Sequence, residues 1–425
     1  MRENFLHYLW KFKKFNTLHL FTTENKPIQL INVGTHNFNS GPDFLNALVK
    51  IDEQLWAGNI EIHIKSSDWF QHGHESDVAY NNVILHVVWE HDAAITRSDN
   101  SVIPTLELKS YIDAQVLSNY YRLFNGKRNW INCETDFASI DDMTLQNWLE
   151  RLHWERLERK CKEIDQLLES TRNDWDTVCF KLMAKNFGLH INADAFLSVA
   201  NSIDFAIVRK MRADRFKLEA LFFGQAGLLE EALDLAYYND LKNEYQFLRQ
   251  KFRLNNAAVV PVKFLRLRPN NFPTIRLSQL ANLYHGQDPL FSAILKSNTI
   301  TEFYNLFQVG VSPFWRTHYS FQRKSRSVQK DLSKKFIDLI IINAIMPLKF
   351  SYERSLGKTF NSELLTLIKS IDYELNTTTR KFYQMKKISK TAMHSQALLQ
   401  LKNEYCNKNK CLQCAIGNAL LNRNM

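Results

Sequence analysis

The spacing of apolar residues changes once along this chain, and that change limits the folds open to it. Up to about residue 110 the apolar residues either alternate with polar ones or run unbroken in short stretches bounded by turn chemistry. That is the pattern of strands, whose side chains point to opposite faces in turn. "PIQLINVG", "LNALVKI", "LWAGNIEIHIK", "NVILHVVW" and "IPTLEL" read as strands, and "NFNSGPDF" as a loop. "NVILHVVW", nearly all apolar, has the character of a central strand covered on both faces. Phe5, Leu6, Leu9, Trp10 and Phe12 recur at helical spacing ahead of them, and "SSDWFQHGHESDVAY" holds a polar loop and a short helix. From about residue 140 the repeat becomes helical, as in "MTLQNWLERLHWERLERKCKEIDQLL", "SKKFIDLIIINAIMPLKF" and "SELLTLIKSIDYEL". "DWDTVCFKLMAKNFG" opens on an Asp cap and stops at Gly188. The expected architecture is an α/β N-terminal domain with a mixed sheet, followed by a mainly α-helical region.

A length of 425 residues exceeds what one core organises, so two or three domains are expected. The division falls into 1–130, an α/β domain, 131–380, a basic helical region, and 381–425, a cysteine-containing tail. Apolar content of 45% with 23% charged residues excludes bulk disorder. Only 12 glycines argue against a Gly-rich phosphate loop, and the net charge of +10 favours a polyanionic partner. No apolar run is long enough to cross a bilayer; "FIDLIIINAIMPL" suits a core helix, and the N-terminus lacks the features of a signal peptide. The six cysteines are not distributed as a disulfide framework, which points to a reducing cytoplasm.

The stretch "NIEIHIK" carries the chemistry. Ile60, Ile62 and Ile64 would face a core, which leaves Glu61, His63 and Lys65 together on the opposite face. Asp43 stands where the preceding strand begins. Two acids from adjacent strands can hold a divalent cation through oxygen, and a lysine on the same face can orient water or stabilise charge developing on a phosphate.

"PD" at 42–43 followed by "EIHIK" at 61–65, in this order of elements, resembles the PD-(D/E)XK nuclease superfamily over roughly residues 1–110. The resemblance implies a restriction-endonuclease-like fold, Asp43 as a metal ligand, Lys65 as the catalytic lysine, and a ligand two positions before it. His63 stands there in place of an acid, so either His63 is the ligand or Glu61 reaches the metal from the same face. A mixed set favours Mn over Mg. Over nearly its full length the chain is similar to a bacterial domain-of-unknown-function family (DUF2851), on "SGPDFLNA", "GNIEIHIKSSDW", "YNNVILHVVW", "LRLRPNNFPTIRLSQLA" and "YCNKNKCLQCAIG". That likeness brings no activity with it.

Cys406, Cys411 and Cys414 have the spacing of ligands to zinc or an iron–sulfur cluster, with Cys133 the first choice and His394 a competing choice for the fourth position. The triplet resembles that of the recombination and CRISPR-associated exonucleases, in which one cysteine before the nuclease core and three after it hold a 4Fe–4S cluster; here no cysteine precedes residue 133 and the helical part intervenes, and the resemblance implies a structural clamp on the tail. Two basic stretches, "KFLRLRPNNFPTIRL" and "WRTHYSFQRKSRSVQKDLSKK", offer Arg266, Arg268, Arg276, Arg316, Arg323 and Lys324 to nucleic-acid phosphates, with Trp315, Tyr319 and Phe321 for base stacking. Their alternative is a solvated positive surface with the aromatics turned inward.

The functional expectation is a metal-dependent nuclease acting on DNA or RNA, with Asp43, Glu61, His63 and Lys65 at its centre. The alternative is a non-catalytic nucleic-acid-binding or scaffold protein with a degenerate site. A third reading is a metallohydrolase using His72 and His74 of "HGHESD", a loop that otherwise lines the cleft entrance beside Asp77. Asp68 is expected to cap the helix after Lys65, and His86 to be a satisfied core histidine.

Overall fold

The computed structural model describes residues 1–125, 130–286, 289–358 and 362–423. The chain forms two compact units: residues 1–148 together with 401–425, and residues 149–400. The last part of the cysteine tail thus folds with the N-terminal unit.

The first unit is built on a mixed sheet. Its strands are β1 (Leu20–Phe21), β2 (Pro27–Asn32), β3 (Thr35–His36), β4 (Phe44–Ile51), β5 (Gln54–Lys65), β6 (Val83–Glu90) and β7 (Thr105–Glu107), in the order β1-β2-β4-β5-β6-β7, with β3 paired to β4. Pairings up to β4–β5 are antiparallel, while β5–β6 and β6–β7 are parallel. β6 lies between two parallel neighbours, and its residues Val83–Val88 are all buried, which explains the unbroken apolar run. Helix α1 (Glu3–Lys11) buries Phe5, Leu6, Leu9 and Trp10 and packs on β5.

Ile60 and Ile62 are fully buried, as alternation requires, but the opposite face of β5 is not wet. Glu61 and His63 are 5% and 1% exposed, and only Lys65 reaches solvent. A loop supplies the cover: α2 (Asp68–Gln71) and the histidines that follow it close over that face.

The second unit is helical. The helix Asp142–Ser170 carries the chain into it. The helix Trp175–Phe187 begins at Asp174, whose side chain accepts the Thr177 N–H, and ends at Gly188, as the sequence indicates. The apolar stretch after Ser333 is a core helix interrupted by a π-helical turn at Ile341–Ile345. The wider turn lets the helix resume at Met346–Ser355 with Pro347 in its first turn, where a missing N–H costs little. Among the described residues no single helix is long and apolar enough to cross a membrane.

Candidate metal site

Asp43 is aimed by the backbone around it. A bulge follows it in β4, where the register slips between Phe44 and Ala47 and Asn46 adopts a left-handed φ of 58°. Asp43 is thereby fastened to β5 twice: its N–H donates to Glu61 Oε2 at 3.0 Å, and its Oδ2 accepts the Ile62 N–H at 3.0 Å. Glu61, rather than His63, is the partner that meets Asp43.

Helix α1 contributes two groups that the sequence reading passed over. Glu3 and His7, one helical turn apart, lie on the face that meets this edge of the sheet. His7 Nε2 is 3.1 Å from Asp43 Oδ2, off the line of a hydrogen bond, and ligand atoms of Glu3, His7 and Asp43 all fall within 4.8 Å of one another. The i, i+4 spacing of an acid and a histidine on the first helix was the available signal.

His63 shares the face of Glu61 but meets the histidines beyond it. Its Nδ1 lies 2.9 Å from Nε2 of buried His86, and its Nε2 lies 3.1 Å from His72 Nδ1 and 3.6 Å from Glu61 Oε1. His74 Nε2 is 3.4 Å from the same Glu61 oxygen. His72 and His74 reach β5 because Gly73, with φ 72°, turns the chain sharply after α2. His74 stacks on Tyr80 with centroids 3.8 Å apart, and fully buried Trp69 packs edge-on against His74 and His86. His86 is therefore only half satisfied, since its buried Nδ1 has no hydrogen-bond partner.

The electrostatics fit a cation-binding pocket. Burial, then the neighbouring Asp43 carboxylate, pushes Glu61 well above the usual carboxylate range. Burial, then His72 and His74, lowers His63 to about 4, so its imidazole is neutral and free to act as a ligand. A divalent ion beside Glu61 would favour its ionised form, and the neutral His63 imidazole could serve as a ligand.

Lys65 does not join this group. It stands at the exposed end of β5, with Nζ 3.9 Å from Asp92 Oδ2. It lies four positions along the strand from Glu61, roughly 13 Å of backbone. Asp68 does not cap α2 either; its side chain accepts the Lys65 N–H at 2.9 Å.

The four cysteines converge in the first unit. Cys133, Cys406, Cys411 and Cys414 line one pocket together with Leu123, Tyr405 and Ile416. Burial, then the other three sulfurs, raises the Cys133 thiol well above its ordinary value, and burial raises Cys406 to about 12 and Cys414 to about 11. Gly417 is required here, because a Cβ would stand 2.1 Å from the Cys411 carbonyl oxygen. Burial disfavours the thiolates that a metal needs unless a cation joins them, and thiol donors of this kind are those of zinc or an iron–sulfur cluster. His394, the competing fourth ligand, lies in the second unit, where its Nδ1 is 2.7 Å from Thr391 Oγ1.

The basic candidates divide. Arg266, Arg268, Arg316, Arg323 and Lys324 are exposed. Arg323 and Lys324 form a short strand, β9 (Arg323–Lys324), paired with β8 (His318–Ser320). Arg276 is not a phosphate ligand: it is 6% exposed, bonds Asn271 and Gln279, and stacks 3.5 Å over the Phe336 ring. Trp315 is fully buried and not available for base stacking, while Tyr319 and Phe321 are half-buried against the same core.

No curated protein and no solved structure matches the chain. The family described as "Protein of unknown function (DUF2851)" matches residues 3–377, nearly the whole length. With its mixed-sheet unit and its helical unit, the chain belongs to the DUF2851 family.

Proposed function

We propose that the first unit is a metal-dependent phosphodiesterase acting on DNA or RNA, with Asp43 and Glu61 as its centre. The observation that carries this reading is the reciprocal fastening of Asp43 and Glu61 on adjacent strands, with His7 and Glu3 closing the group from α1. It agrees with the PD-(D/E)XK resemblance of "PD" and "EIHIK". A divalent cation here would polarise a phosphate oxygen and acidify water. The chain's own part is to hold both carboxylates in one geometry before substrate arrives. Burial lowers His7, the Asp43 carboxylate beside it more than offsets that, and its Nε2 would complete the ligand group from α1. The exposed arginines of the second unit supply candidate phosphate contacts, and the cysteine site clamps the chain end.

One observation favours a second reading, a nucleic-acid-binding or scaffold protein with a degenerate site: Lys65 is directed to Asp92 and not to the carboxylates. Degradation of labelled single- and double-stranded DNA and RNA, with Mn²⁺ or Mg²⁺, by the full chain and by Asp43→Ala separates the two. Cation-dependent cleavage by the native chain alone supports the enzyme; equal products from both reject it.

A further inference from the structure

The Asp43 centre leaves His63, His72 and His74 without a task. Their ligand atoms lie within 4.8 Å of one another, and Glu61 Oε1 faces the same point. Three of the separations in this set are 3.1 Å (His63 Nε2 to His72 Nδ1), 3.6 Å (His63 Nε2 to Glu61 Oε1) and 3.4 Å (His74 Nε2 to Glu61 Oε1). For zinc bound at about 2.0–2.1 Å, the edge of a tetrahedron is 1.63 times the bond, or about 3.3–3.4 Å. The observed separations straddle that edge, whereas hydrogen-bonded imidazoles need only one close pair.

The surroundings are those of a built site. His63 is held by His86 through its Nδ1, which directs its Nε2 to the cluster. Trp69 and Tyr80 wall His74, and Gly73 sets the turn that delivers both loop histidines. Glu61 has one oxygen for each centre: Oε2 accepts from Asp43, and Oε1 faces the imidazoles.

We propose that His63, His72, His74 and Glu61 form a tetrahedral site for a transition-metal ion of the zinc class, distinct from the Asp43 centre and sharing Glu61 with it. The site stands whether or not the chain cleaves nucleic acid. Its ligand set of three imidazoles and one carboxylate selects Zn²⁺ or Co²⁺ over Mg²⁺, which prefers oxygen ligands. His72, the exposed member, is the position through which the ion enters or exchanges.

The test is to titrate the metal-depleted full chain with Co²⁺ alone and record its visible d–d absorption. The wild type and Asp43→Ala are expected to show an intense tetrahedral band. In His72→Ala and His74→Ala that band is lost or requires at least roughly tenfold more cobalt. His72 is exposed, so His72→Ala leaves the fold intact, as circular dichroism will verify. Any cobalt held by the cysteines is unchanged by these substitutions and cancels in the difference spectra. Identical spectra and affinities in the wild type and both histidine variants overturn the site, as does loss of the band in Asp43→Ala. Cleavage that fails while the histidine-dependent band persists rejects the nuclease reading and leaves this site standing.

Discussion

Asp43 and Glu61 hold each other through the backbone: the Asp43 N–H donates to the Glu61 carboxylate, and the Asp43 carboxylate accepts from the residue after Glu61. The two acids therefore keep their relative positions without an ion. The cost is the burial of the Glu61 carboxyl, to which the Asp43 carboxylate beside it adds, and both raise Glu61.

Replacing Glu61 by an amide relieves that cost and removes the centre. Glu61→Gln is expected to abolish cation-dependent cleavage while raising the melting temperature of the metal-free chain by a few degrees. Calorimetry in a chelating buffer checks the second part; a lowered melting temperature would show that the pair is not strained.

Lys65 separates geometry from motif. Because it faces Asp92, Lys65→Ala is expected to retain cleavage within about threefold, where Asp43→Ala loses it. Loss of cleavage in Lys65→Ala, with binding retained, would mean that the lysine swings into the centre during turnover.

The arginines divide by burial. Arg276→Ala leaves Asn271 and Gln279 without their partner and strips the Phe336 ring, at a cost of about 2–3 kcal/mol. Arg316→Ala and Arg323→Ala are expected to change stability by under about 0.5 kcal/mol. Each should reduce the salt dependence of nucleic-acid binding by roughly one phosphate contact. Urea unfolding and salt-titrated anisotropy measure the two effects.

The cysteine pocket predicts a metal whose loss is structural. Cys133→Ser is expected to release it and lower stability by roughly 2–4 kcal/mol, without altering the cobalt band of the histidine site. Metal analysis with a visible spectrum identifies the ion: brown with absorption near 400 nm for iron–sulfur, colourless for zinc.

Much of this was legible in the chain. Alternation at Ile60 and Ile62 and the apolar run of β6 located the sheet, and the Asp174 cap and Gly188 bounded their helix. The strand pattern could not show that a loop covers Glu61 and His63, because burial there comes from residues distant in period though near in sequence, His72 and His74. Glu3 and His7 were hidden because helical spacing says which face a residue shares, not what that face meets. Arg276 misled because charge in a sequence reads as exposure, and here an aromatic ring and two amides compensate its burial.

Lys160 offers a test of the helical unit alone. Its amine donates to Asn343, and burial lowers it to about 7 from 10.5. Between those values the unfolded chain binds a proton that the folded chain does not, so stability should rise with pH across roughly 7 to 10. Lys160→Met should flatten that rise and be most stabilising, relative to wild type, at pH 7 and below. Parallel urea midpoints for the two proteins from pH 6 to 9 would contradict this.

Phosphodiester cleavage at the Asp43–Glu61 centre is measured most directly by the cleavage of end-labelled DNA and RNA by the 425-residue chain over a Mn²⁺ titration, beside Asp43→Ala at equal concentration. Products that rise with Mn²⁺ for the native chain, vanish with chelator and are absent for Asp43→Ala are predicted. Products independent of Mn²⁺, or equal in the two proteins, would contradict it.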